Sequence, residues 1–272
     1  MTDIERSKTW KDVDRASDPR SWATYLEQAS LLDSFREYKR RGLALLEPKP
    51  GGRYLEVGCG TGVDVRALAA LIGAGGRVVG VDFSETLLME ARKQSEGLAV
   101  EYVRGDAHRL EFPDASFDGC RADRVFQHLA HPRAALGELA RVARPGAPVV
   151  LTEPDWETLV FDTPDPALHR TLIAFHADTL NQNGRIGREL PRLFQEIDLV
   201  DIRVTPEPIY ATDYDVVNKG TGLEARATAA AKAGVIPEAD AERWRHHLAE
   251  LRDTGRFWCA MLLFTIRGRK RA

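Results

Sequence analysis

Cysteine is scarce in this 272-residue chain: Cys59, Cys120 and Cys259 are three, odd in number and far apart. That pattern supports neither a disulfide framework nor a zinc knuckle and fits a reducing compartment. Long apolar runs are missing too. The longest predominantly apolar stretch, residues 259–266, is far short of the roughly 20 residues that a bilayer demands. The opening Met-Thr-Asp-Ile-Glu-Arg has no apolar core, so a secretory leader is not expected. Nor is there an excess of positive charge: 38 Lys and Arg face 41 Asp and Glu, a net charge of −3, without the basic field of a non-specific nucleic-acid binder. What remains is 43% hydrophobic and 29% charged, enough to build a sizeable core and too much apolar content for a disordered chain. A cytoplasmic, soluble protein is expected, with no nucleic acid and no membrane span; a homo-oligomer and a monomer are both open.

The apolar pattern changes period along the chain. Trp22, Leu26, Ala29, Leu32 and Phe35 recur at helical steps, and Pro48-Lys-Pro-Gly-Gly ends that region. Strands and helices then alternate. Arg53–Val57 reads as a strand, Val63–Ile72 as a helix, Arg77–Asp82 as a buried strand, and Ser84 as an N-cap before Leu87, Leu88 and Ala91. Strands follow over 99–103 and 117–122, a helix begins at Pro132, and a fifth strand covers 147–152. Such alternation means right-handed crossovers and an α/β, doubly wound, mostly parallel sheet, here expected with seven strands and helical cap insertions. Helices are expected over 167–181, 188–197, 213–233 and 238–254, with strands over 199–205 and 259–267. Residues 1–50 form the expected N-terminal cap, 51–155 the core, and 156–272 the rest of the sheet, with cap helices over about 156–198 and 206–257. His176, His246 and His247 read as helix-surface residues, and Arg267-Gly-Arg-Lys-Arg271 as a solvated end.

Ligands of doubly wound sheets sit at the carboxyl ends of the strands, near the switch point. The most informative segment lies there: Tyr54-Leu-Glu-Val-Gly-Cys-Gly-Thr-Gly62. Glycines at 58, 60 and 62 allow a sharp turn and close approach to a ligand, with Cys59 between them. A dinucleotide loop wants its third glycine one residue later, and Glu56 would repel a pyrophosphate. An acid there suits a ligand carrying an amino group. Asp82, at the end of the second strand, can accept both hydroxyls of a ribose, and Phe83 can lie on an adenine face.

Together with Val81-Asp82-Phe-Ser, Gly105-Asp106-Ala107, Phe117-Asp118-Gly119 and Arg141-Val-Ala-Arg-Pro-Gly146, this segment resembles the class I S-adenosylmethionine-dependent methyltransferases. The resemblance runs over residues 45–155 and is closest to the small-molecule branch that includes menaquinone, ubiquinone and sterol C-methyltransferases. It implies S-adenosyl-L-methionine as cofactor, with S-adenosyl-L-homocysteine as product. Glu56 and the 58–62 loop would take the methionine part, Asp82 the ribose, and Asp106 with the Ala107 backbone the adenine. The stretch from Asp123 to His128 would close over the methionine end. Ala147 departs from the family, which usually has a second glycine there, and the resemblance is weak in the C-terminal portion.

In-line transfer from a sulfonium needs alignment and exclusion of water, with no metal, and a base where the acceptor must lose a proton. His128, just past the fourth strand, is the candidate base; His131, Asp155 and Tyr210 are alternatives. Tyr25, His131, Asp155, Trp156 and Tyr210 are the candidate substrate contacts, with a turn cap as the alternative for Asp155 and a surface loop as the alternative for His131. No Asn/Asp-Pro-Pro-aromatic turn follows the fourth strand, which argues against a nucleic-acid methyltransferase. The Asp-Asn pair of metal-assisted O-methylation and the glutamate pair of protein-arginine methylation are also missing. A protein that binds S-adenosylmethionine but performs another reaction, such as a cyclisation, is the competing expectation.

Overall fold

A computed structural model describes residues 10–16 and 18–272; the first nine residues of the expected N-terminal cap lie outside the described residues. A 3-10 turn at Trp10–Arg15 leads into helices α1 (Arg20–Ser30) and α2 (Asp33–Leu45). The core follows as β1 (Arg53–Val57), α3 (Val63–Ile72), β2 (Arg77–Asp82), α4 (Glu85–Gln94), β3 (Val100–Arg104), β4 (Gly119–Asp123), α5 (Pro132–Val142) and β5 (Pro148–Pro154). Thereafter come β6 (Val160–Phe161), α6 (Pro166–Phe175) running into a π-turn at His176–Leu180, α7 (Ile186–Glu196), β7 (Val200–Ala211), α8 (Tyr214–Thr221), α9 (Leu223–Lys232), α10 (Glu238–Asp253) and β8 (Cys259–Arg269).

The sheet runs β3-β2-β1-β4-β5-β8, with β6 and β7 also on β8. The first five strands are parallel, and β8 is antiparallel to its neighbours. Eight strands stand where seven were expected. The additional one, β6, has two residues; it pairs with Ala260 and Cys259, whereas β5 pairs with residues 263–269 of the same β8 and β7 with both ranges. It therefore extends the β5 side of β8 after a short interruption, and the sheet stays seven strands wide. Chain order reverses between β1 and β4, which opens the crevice at their carboxyl ends.

Local chemistry sets the element boundaries. Every residue of β5 is buried, as parallel strands covered on both faces require. Ser84 accepts the Leu87 N–H at 3.2 Å to start α4, Asp165 the Leu168 N–H at 2.9 Å to start α6, and Asp213 the Val216 N–H at 3.0 Å to start α8. The helix expected over 213–233 is two helices, because Gly222 takes a left-handed conformation with φ of 65° between α8 and α9. The C-terminal basic run is not a solvated end. Arg267 is buried on β8 and reaches Asp201 at 2.7 Å, and the Lys270 ammonium donates to the carbonyls of Arg141 and Ala143 at the end of α5. Among the described residues no helix is long and apolar enough to cross a membrane.

The sheet packs Leu55, Val57, Leu139 and Phe194 into its main core, while Leu43, Val65, Leu68 and Val78 fill the other face. The helices after β5 hold a separate core in which Trp244 packs at 5.2 Å on Phe161 and its indole N–H donates to the Leu223 carbonyl at 3.2 Å. Trp244→Ala is expected to cost about 3–5 kcal/mol, the usual scale for emptying a buried aromatic site. Urea unfolding checks this; a loss below about 1 kcal/mol would show that the cap core collapses around the gap.

Candidate active site

The carboxyl ends of β1, β2 and β4 open into a cavity of about 1340 Å³, whose other walls come from α1, α2, α8, α9 and the segment after β5. Ligand pockets commonly measure about 300–1,000 Å³, so this one has room for two partners at once.

The β1–α3 turn forms its floor. Gly58 has φ of 70°, and a Cβ there would stand 2.2 Å from Val125 Cγ2; only glycine lets the β4 loop close down on the turn. Gly62 serves differently. Its φ is 78°, and a Cβ would meet the Tyr102 hydroxyl at 2.2 Å, so the third glycine is spent on packing against β3 rather than on the cavity wall. Asp82 fixes the turn by accepting the Gly60 N–H at 2.8 Å through one oxygen and the Ser84 N–H at 2.9 Å through the other. Burial raises its pKa against these donors.

Beneath the turn lies a buried charge network that the sequence reading found only in part. Arg121, in the middle of β4 and fully buried, donates to Glu56 at 2.6 Å and to Asp64 at 3.0 Å. Lys39 of α2 reaches Asp64 and Asp123, both at 2.5 Å, and the Tyr38 hydroxyl adds a 3.2 Å contact to Asp123. Lys39, Asp64 and Arg121 were not anticipated; an arginine inside an otherwise small and apolar strand was the available signal. Three carboxylates against two cations leave one negative charge. Burial, with the Asp64 and Asp123 carboxylates nearby, raises the Glu56 pKa against the pull of Arg121, whereas Asp64, despite its burial, is held well below the usual carboxylate range by Lys39 and Arg121. Glu56 Oε2 and Asp123 Oδ1 are buried acceptors with no hydrogen-bond partner among the described residues, and both residues line the cavity. Such oxygens call for a donor from a ligand, and a cationic one satisfies both hydrogen bonding and charge.

Cys59, Phe83, Asp106 and Ala107 also line the cavity. The Phe83 ring is 60% exposed, with the Arg104 guanidinium 5.6 Å from its centre. Asp106 accepts the His108 backbone N–H at 2.9 Å and contacts the His108 ring at 2.7 Å. His128 ends a 3-10 turn, Phe126–His128, and faces the cavity near Trp10, ring to ring 6.3 Å. The buried Glu153 carboxylate holds that turn through the N–H groups of Val125, Phe126 and Gln127 at 2.7, 2.6 and 3.3 Å, while burial pushes its pKa up to about 8 against their pull.

Tyr25, Trp156 and Tyr210 lie on the cavity wall as expected, Tyr25 buried and Tyr210 62% exposed. Asp155 and His131 do not. Asp155 is buried behind the wall, where it caps the Trp156–Thr158 turn and pairs with Arg188. His131 is exposed and packs on the His108 ring at 5.9 Å. His176 is the opposite correction: it is buried against Trp156 at 4.5 Å and lines the cavity. It stands four residues after Leu172 and eight after Leu168, where the buried stripe of α6 continues into the π-turn, so the periodicity carried the signal.

The parallel half-sheet, the antiparallel closing strand and the acid-and-glycine turn at the switch point define the architecture of the class I S-adenosylmethionine-dependent methyltransferases, and the chain belongs to that family. The methyltransferase-domain family matches residues 55–151. An uncharacterized 37.1 kDa protein in transposon TN4556 of Streptomyces fradiae is 38% identical over 244 residues, 89% of this chain and 70% of that one. A demethylmenaquinone methyltransferase of Bacillus cereus is 32% identical over 128 residues, 46% of this chain; the match spans 54% of that enzyme's length. The solved structure of YcgJ from Bacillus subtilis superposes with a TM-score of 0.60 at 22% identity, covering 86% of this chain and 99% of that one. The [4+2]-cyclase SpnF shares the fold with a TM-score of 0.53 at 19% identity, covering 86% and 82%. The residues present fit the cofactor of the family: an ammonium matches the two orphaned carboxylate oxygens, and Gly58 leaves its floor without side chain.

Arg121→Met leaves three buried carboxylates with Lys39 alone, and is expected to cost about 3–5 kcal/mol at neutral pH. Asp64 has a lowered pKa, so its contribution in the parent protein is present above the usual carboxylate range and fades as pH falls through it. Denaturant curves of the two proteins should therefore converge toward acid; a gap that is constant with pH would assign the loss to packing.

Proposed function

We propose that the protein transfers a methyl group from S-adenosylmethionine to a small-molecule acceptor, with the two ligands in the two halves of the one cavity. The observation that carries this reading is the contrast between those halves. One half is built from the glycine turn, Asp82 and the orphaned oxygens of Glu56 and Asp123; the other is roofed by α1, α8 and α9 and walled by Tyr25, Trp156 and Tyr210. The 1340 Å³ volume holds both. Natural-product, quinone or isoprenoid-like acceptors suit a wall of this mixed aromatic and apolar character.

In this reading Glu56 and Asp123 accept hydrogen bonds from the ammonium of the methionine part, over the Gly58–Gly60 turn with Cys59. Asp82 accepts from the ribose hydroxyls, and Phe83, Asp106 and Ala107 surround the adenine. The bound sulfonium supplies the electrophilic methyl carbon. Roofing helices exclude water and hold the acceptor in line. His128 takes the proton of an OH, NH or activated carbon acceptor.

Incubation with S-adenosylmethionine and acceptor should yield S-adenosylhomocysteine in equal amount to methylated product; turnover of the acceptor without it would assign a non-methylating reaction such as a cyclisation. Asp82→Ala removes a charged hydrogen-bond partner, an expected loss of about 1.5–3 kcal/mol or roughly 10- to 150-fold in S-adenosylhomocysteine affinity. Calorimetry on the folded variant measures it, and an unchanged affinity would remove Asp82 from the cofactor site. His128→Ala should lower turnover by about 10²–10⁴-fold with cofactor affinity retained. A variant within a few-fold of the parent, with the same pH–rate profile, would leave alignment and desolvation as the source of catalysis.

A further inference from the structure

Arg226 lies on α9, the roof of the acceptor half, and is 1% exposed although it lines the cavity. One terminal nitrogen, Nη2, donates to the Thr221 carbonyl at 3.0 Å. Nε and Nη1 have no hydrogen-bond partner among the described residues, and none of the ion pairs formed by those residues includes this guanidinium. Its chain neighbour Glu224 is engaged elsewhere, accepting the Tyr214 hydroxyl at 2.5 Å. The guanidinium instead faces the Trp156 ring, 5.7 Å from its centre.

On the same ring sits His176, 4.5 Å away centre to centre. The Asn181 side-chain amide donates to its Nε2 at 2.7 Å, which puts the ring proton on Nδ1, and Nδ1 is likewise buried without a partner. Two side chains beside one indole thus present three unsatisfied nitrogen donors. A buried cation without a counter-charge is retained at high cost unless a ligand supplies that charge.

We propose that Arg226 and His176 bind a carboxylate carried by the acceptor molecule. The inference rests on the reading that the acceptor occupies this half of the cavity. The charge argues for a single negative unit. Burial and the neighbouring Arg226 keep His176 neutral, with a pKa well below the usual value, so one guanidinium is the local cation. Burial pulls the Arg226 pKa down to about 9, which still leaves it charged at neutral pH. A carboxylate matches one charge, whereas a phosphate monoester brings about two. Around it, Trp156, Leu159, Val217 and Met261 favour an apolar or aromatic body on the same molecule.

Acetate is the smallest probe of this site. Thermal unfolding is followed in sodium acetate, in sodium chloride of equal ionic strength, and with acetamide added to that chloride buffer, for the parent protein and for Arg226→Met, Arg226→Gln and Arg226→Lys. The parent should show a saturable rise in midpoint with acetate and none with acetamide. Arg226→Met and Arg226→Gln should lose the acetate response, an affinity loss of about 10- to 150-fold, and Arg226→Lys should keep part of it. Without acetate, Arg226→Met should unfold at a higher temperature than the parent, since an uncompensated charge is gone; a structural role would give the reverse. Absence of an acetate-specific rise in the parent, or an equal rise in the folded Met or Gln variant, would overturn the proposal. S-adenosylhomocysteine calorimetry on the same proteins separates the two readings: failure of the parent to bind it would sink the cofactor assignment and leave the acetate result standing.

Discussion

The active-site region depends on placing a guanidinium inside the sheet. Arg121 sits on β4, beside the β1 strand that carries Glu56, and ties that acid to Asp64 at the start of α3. Removed from water, none of these charges is tolerable singly. The network draws the N-terminal helix α2 onto the carboxyl edge of the sheet through Lys39, and Tyr38 follows. One wall of the cavity and the floor beneath it are thus held by the same five charges. Their excess of one carboxylate also sets the sign of ligand that fits.

Much of the parallel core was legible because its signals are local. Continuous apolar strands, the cap at Ser84, the helix-starting Pro132 and the glycine turn each announce themselves within a few residues, and β1, α3 and β2 fall at the expected boundaries. Cavity residues close to these motifs were legible for the same reason. The carboxyl-terminal half was harder. The twelve-residue strand β7 was expected to end at Thr205, but it carries three residue pairs beyond Pro208, where Ile209, Tyr210 and Ala211 meet Met261, Ala260 and Cys259. Its length is fixed by pairing along the whole of β8, a long-range partnership that alternation within one segment does not reveal.

Side-chain direction was the other thing hidden. Asp155 follows a strand at the cleft edge, which made it a plausible contact, yet its carboxylate is consumed by the cap of the next turn and by Arg188. Lys39, Asp64 and Arg121 come from three separate elements, and their proximity exists only after the sheet has formed. His176 could have been found, since a polar residue on a buried stripe marks either a hydrogen-bonded core group or a wall of a cavity.

The hold on the Phe126–His128 turn decides what the position of the histidine depends on. Glu153 belongs to β5 and pairs in register with Phe264 of β8, and Asn183 clasps the Phe126 and Leu129 carbonyls at 2.9 and 2.7 Å. The histidine is therefore referenced to the sheet, as a tool bolted to the bench. Helices α8 and α9 are seated instead in the core around Trp244, where Val217, Leu223, Ala227 and Ala230 are buried and the indole N–H holds the Leu223 carbonyl. The roof of the cavity and the imidazole beside it thus take their positions from different cores of the same molecule.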